Sequence, residues 1–167
     1  MKALCIIFAI IIGIVGVVPW INGIVKTTQF DAVCGDYLRL AADANSIDVA
    51  EKHLSKGIDY IEKNGLTSGY TKIFRYYPKN DIGLWYENLK TAQAQLGEMQ
   101  SRTYTDLEES NMLMKLRETL LDSNGALTCP FGISFGDNFA LHFWLMSLLW
   151  LPCLVATIVL SVCAYDL

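Results

Sequence analysis

Residues Ala3 to Val25 form an apolar stretch without a formal charge, held between Lys2 and Lys26. About 23 residues at 1.5 Å rise make about 34 Å of helix, enough to cross the hydrocarbon core of a bilayer. A second uncharged stretch fills the interval between Asp137 and Asp166 and is also long enough to span. A chain of 167 residues has room for one ordinary domain, and these two stretches leave only the middle to form it. The reading is all-α, with two transmembrane helices bracketing an antiparallel helical bundle. Residues 1–25 are the first span, 26–138 the bundle and 139–167 the second span.

The first stretch reads as an uncleaved anchor. A removable signal carries an apolar run of about 7–15 residues and then a small-residue cleavage site. Here the run from Ala3 to Val18 is already longer, and the sequence that follows, Pro19-Trp20-Ile21-Asn22-Gly23, offers no Ala-x-Ala-like triplet. Trp20 suits a membrane interface instead. A lipoprotein site is excluded because Cys34 lies far along and follows Val33. In the second stretch Trp144 and Trp150 lie toward the start, Pro152 inside and Tyr165 at the far end. His142, near the start, is expected at headgroup level.

Hydrophobic residues make up 53% of the chain, and the excess is concentrated in these two stretches. The middle holds every basic residue except Lys2 and every acidic residue except Asp166, with both signs interspersed and a mildly acidic balance. That excludes a nucleic-acid footprint, and no polybasic cluster points to anionic lipid heads.

Within the middle, Phe30, Val33, Tyr37, Leu40, Ala41 and Ala44 recur at helical steps and predict an amphipathic helix continuing from the first span. Asn45 or Ser46 caps a second helix with the stripe Ile47, Ala50, Leu54, Ile58 and Ile61, stopped at Asn64-Gly65. Asp81 caps a third, with the stripe Ile82, Trp85, Leu89, Ala92, Leu96 and Met99. Thr105-Asp106-Leu107-Glu108 is a capping box that opens a fourth. The segments 66–81 and 123–138 read as loops, with a short β-hairpin-like pairing between them as an open alternative.

Of five cysteines, Cys34 and Cys129 are the two in the middle segment. Their placement near its two ends invites a disulfide closing the base of the bundle, in an oxidising compartment; two unrelated thiols are the alternative. Metal and cofactor motifs are missing: there is no His-x-x-x-His, Cys-x-x-Cys, phosphate-binding glycine loop or calcium loop. His53 reads as a helix-surface residue. No catalytic constellation is found, so an enzyme is not expected, and no metal or cofactor is implied.

The one unusual concentration is aromatic. Tyr70, Phe74, Arg75, Tyr76, Tyr77 and Trp85 fall close together in sequence, the composition of a partner-binding surface or ligand mouth. The alternative is a loop folded over one end of the bundle.

The order of span, helical bundle and span resembles bacterial transmembrane sensor inputs such as chemoreceptor ligand-binding domains. The resemblance is one of architecture, carries no motif, and departs at the output, because Asp166-Leu167 follows the second span directly. The function expected is binding: an accessory or assembly subunit of a membrane complex, or a homo-oligomer. The alternative is a sensor-like, ligand-binding domain signalling through a membrane partner. The location expected is a plasma membrane of bacterial type, both termini cytoplasmic and the bundle outside.

Overall fold

The computed structural model describes residues 2–72, 77–137 and 139–166. Among these lie the α-helices α1 (Lys2–Gln29), α2 (Asp36–Ala42), α3 (Ile47–Lys63), α4 (Ile82–Gln100), α5 (Asp106–Leu120) and α6 (Phe139–Asp166). A π-helical segment, Phe30–Gly35, precedes α2, and short 3₁₀ turns occupy Pro78–Asn80 and Ile133–Phe135. The described residues are all-α; their strand-like contacts are the isolated bridges Tyr70–Asp81 and Leu121–Leu127. Each bridge closes its own loop, so the pairing of segment 66–81 with segment 123–138 is not found among the described residues.

Contacts divide the chain into one unit of Met1–Lys26 with Ala140–Leu167 and another of Thr27–Phe139. In the first unit, α1 and α6 are each 28 residues long, and the Trp20 and Trp150 rings meet edge-on at 6.3 Å. Many side chains of these helices lie outside the description, and among the described residues no helix is long and apolar enough to cross a membrane. The two expected spans therefore rest on the full sequence.

The second unit is a helical bundle built on α2 to α5. Its core takes the stripes of α3 and α4 as the spacing predicts: Ile47, Ala50, Leu54, Ile58 and Ile61 face Ile82, Trp85, Leu89, Ala92, Leu96 and Met99, all buried. Burying one such leucine or isoleucine side chain stabilises the fold by about 1.5–3 kcal/mol. A polar seam runs beside this core. Gln100 donates to Asp48 at 3.0 Å, Gln93 to Ser55 at 2.8 Å, and Tyr86 to Glu62 at 2.6 Å. The partners step by seven residues up α4 and down α3, which sets the two helices antiparallel and in register.

The first soluble helix departs from expectation. Cys34, Leu38, Ala41 and Ala42 are buried with Phe30, whereas Val33 and Leu40 are exposed and Tyr37 is half-buried. The cause is the π-helical segment: its wider i→i+5 turn rotates the following face by about one residue. The predicted stripe is thus displaced by one position.

Helix ends are set by specific groups. Asp81 accepts from the Leu84 N–H at 3.0 Å, and the Thr105–Glu108 capping box is complete. At Gly65 the stop forms as predicted, with the Leu66 N–H donating to the Ile61 carbonyl at 2.9 Å. Ser46 stands at the start of α3, yet its side chain makes no capping bond. The Ile47 N–H donates instead to Glu109 Oε1 of α5, at 3.2 Å.

Candidate functional site

The loop between α3 and α4 is rooted by short backbone bonds. The Thr71 N–H donates to the Asn80 carbonyl at 3.0 Å and the Ile82 N–H to the Gly69 carbonyl at 2.9 Å. From across the fold, Asp137 accepts the Tyr70 N–H at 2.9 Å. The approach is so close that a Cβ at Gly69 would lie 2.7 Å from the Asp137 carboxyl carbon, at a φ of +101° that also favours glycine. The two loops, for which the sequence leaves strand pairing as an open alternative, meet here through the Asp137 carboxylate.

The aromatic group expected in this region is not gathered into one surface among the described residues. Trp85 is 8% exposed and belongs to the buried stripe of α4. Tyr70 is half-buried at the loop root, while Tyr77 is 56% exposed just before the 3₁₀ turn. Phe74, Arg75 and Tyr76 lie outside the described residues. The Thr71 hydroxyl is buried and makes no hydrogen bond.

A second grouping, not foreseen as such, lies between α2 and α3. Tyr37 and His53 stack at 6.0 Å with planes 25° apart, and Lys56 Nζ stands 4.9 Å from the centre of the Tyr37 ring. His53 is half-buried rather than a surface residue, and its Nδ1 has no hydrogen-bond partner. The signal available in sequence was its place beside the stripe of α3, three residues before Lys56. A cation stands over the tyrosine face and an imidazole stacks on that ring, a packing arrangement within the bundle.

Cys34 and Cys129 are free thiols in this structure, so the expected bridge is not formed here. They are close enough for Cys129 to act on Cys34 electrostatically. Burial and then the nearby Cys129 push the Cys34 thiol up to about 12. Burial likewise raises Cys129, with Asp31 adding to the rise and Arg39 opposing it. Thiols held protonated in this way are poor nucleophiles. The side chains of Cys5, Cys153, Cys163 and His142 lie outside the description.

Among the described residues no cluster of three or more His, Cys, Asp or Glu side chains is placed to hold a metal. A shallow depression of about 470 Å³ at the end of α5 is lined by Arg117, Glu118, Leu121, Asp122, Ser123 and Thr128. Arg117 pairs with Asp43 there, both well exposed. Solvent-facing pairs of this kind contribute little.

Comparison with family models, with curated proteins and with solved structures finds no match to this chain. What the geometry offers is a well-packed bundle whose polar groups mostly serve its own helices.

Proposed function

We propose that the chain is a two-span membrane protein whose bundle acts by binding, as an accessory or assembly subunit of a membrane complex or as a homo-oligomer. The observation that carries this is the pair of uncharged apolar stretches in the sequence, Ala3–Val25 and the interval between Asp137 and Asp166, which lie along α1 and α6 and flank the bundle. At 1.5 Å per residue a helix over either stretch would match the hydrocarbon core in length. Along α1 the exposed residues include Ile7, Ile11, Ile14, Val18, Ile21 and Val25; along α6 they include Leu141, Leu148, Leu151, Val155 and Val162. Apolar surface this continuous calls for lipid or protein around it.

Two spans put both termini on one side, a loop this long translocates whatever its charge, and the Cys34–Cys129 pair favours an oxidising side for the bundle, outside a bacterial-type plasma membrane. The ligand-binding alternative rests on the aromatic loop, from which Trp85 has been withdrawn into the core.

Extraction in mild detergent followed by affinity purification of the full chain tests the reading. A stoichiometric membrane partner, or a defined oligomer, is the expected result. Recovery of monomer alone, with no partner, would rule out the subunit role.

A further inference from the structure

One end of the bundle carries an exposed aromatic group in a fixed presentation. Phe131 is 77% exposed. It sits at the corner of a turn closed by the Ile133 N–H donating to the Pro130 carbonyl at 3.1 Å, with Pro130 and Ile133 both buried. Gly132 completes the turn at φ +80°, and a Cβ there would lie 2.2 Å from the Phe139 ring. No side chain fits that contact, so the turn is held against Phe139 and Phe131 is pushed outward. The Phe131 ring meets Phe139 edge-on at 5.7 Å, and Phe135 lies 4.9 Å from Phe139 on its own account.

This end is also where both long apolar helices join the bundle. Phe139 is the first residue of α6, and Thr27 belongs to the last turn of α1. Thr27 and Ser134 share a side-chain hydrogen bond at 3.2 Å, tying the two junctions together within the bundle. The root of the aromatic loop is fixed to the same region by the bond from Tyr70 to Asp137, which brings exposed Lys72, Tyr77 and Lys79 within a few residues of it.

We infer that this end is a lipid-contacting face, with Phe131 seated in the interfacial zone of a phospholipid bilayer; the inference rests on the two-span reading above. If α6 enters the bilayer at Phe139, a ring 5.7 Å from it lies at headgroup depth. An exposed phenylalanine ring is buried favourably at the headgroup–acyl boundary, as Trp, Phe and Leu side chains of interfacial helices are. The anchor is aromatic and needs no polybasic cluster.

The test uses the full chain reconstituted into phosphatidylcholine–phosphatidylglycerol vesicles, with the photoreactive residue p-benzoyl-phenylalanine in place of Phe131. A control places it at Leu107, which is 70% exposed at the start of α5, the end where Glu109 caps α3. Both positions are exposed, so neither change disturbs the core. Irradiation and mass spectrometry should find phospholipid adducts at position 131 and none at 107. Alkaline carbonate washing of the same vesicles keeps the two readings apart. A chain that stays in the membrane but gives no lipid adduct at 131, or an adduct to a second protein chain there, overturns this inference alone. A chain washed out by carbonate overturns the two-span reading and this inference with it.

Discussion

Cys34 has no exposed surface, and its thiol lies 3.7 Å from the Gly57 carbonyl across the contact between the π-helical segment and α3. Its thiol is raised to about 12 by burial and by Cys129, so near pH 8 almost none is thiolate. Native protein treated with iodoacetamide at pH 8 should therefore label Cys34 far more slowly than the unfolded chain does, with the half-buried Cys129 reacting first. Peptide mass mapping without reductant reads the outcome and the bridge together. A linked Cys34–Cys129 peptide from protein made in an oxidising compartment would establish the disulfide, and two freely alkylated thiols after unfolding would exclude it. The pair was suggested by its distribution along the sequence, one thiol early and one late. That the two thiols come within electrostatic reach of each other depends on the π-helical turn and on the loop after α5, neither of which leaves a local mark in the sequence.

At the scale of the element, the start of α3 separates what a local pattern can show from what it cannot. Ser46 has the right identity and position for a cap, but the bond to the Ile47 N–H is supplied by Glu109, 62 residues beyond Ile47. Ser46→Ala should therefore change stability by no more than a few tenths of a kcal/mol, whereas Glu109→Ala should cost about 1 kcal/mol, the usual loss for a cap. Chemical denaturation of the two variants checks this, and the reverse order would mean that Ser46 is the cap after all. Asp81 and Thr105 are legible because a cap written within three residues is a sequence pattern. The stripes of α3 and α4 are legible because a regular α-helix preserves the period that the eye counts. The stripe of the first soluble helix is off by one residue because a π-turn changes that period without changing the composition. Trp85 follows the stripe of α4 into the core, while Tyr77, close to it in sequence, is exposed.

The same elements carry a pH dependence. The Tyr86 hydroxyl hydrogen bond, with Lys90 assisting, holds the Glu62 carboxyl below the usual glutamate range. The Thr105 backbone N–H and hydroxyl do the same for Glu108. A carboxyl lowered in the folded state contributes stability that is present above its unfolded value and is lost as pH falls through its folded value. Stability should thus decline on acidification below the ordinary glutamate range. Tyr86, raised chiefly by the bond to Glu62, works the other way: its contribution is present below the ordinary tyrosine range and is lost as pH rises through its folded value. Denaturant midpoints measured across pH should fall at both extremes. Tyr86→Phe should make both limbs shallower, leaving on the acid side the share that belongs to Glu108 and on the alkaline side the shares of the raised Cys34, Cys129, Tyr60 and Tyr104. An unchanged profile in that variant would show that the Tyr86–Glu62 bond is not the source.

For the whole molecule, the division into two units makes a claim about folding. Every buried hydrophobic residue of the core, from Phe30 to Ile133, belongs to the unit Thr27–Phe139. A domain of about 110 residues buries enough surface to fold unaided. The bond between Thr27 and Ser134 joins its two ends within the unit, so cutting the chain outside them leaves that closure intact. A fragment of residues 27–139 should accordingly be soluble without detergent, give a helical circular-dichroism spectrum and unfold in one cooperative step. Its melting temperature should drop by several degrees with Leu54→Ala, since emptying a buried leucine site costs about 2–5 kcal/mol. Leu107→Ala should leave it nearly unmoved, because that side chain is 70% exposed. A fragment that is helical only when the flanking apolar helices are restored would mean that α1 and α6 take part in folding the bundle. A fragment that melts cooperatively by itself confines their contribution to what surrounds the chain, and leaves the bundle as a self-sufficient part held by its two ends.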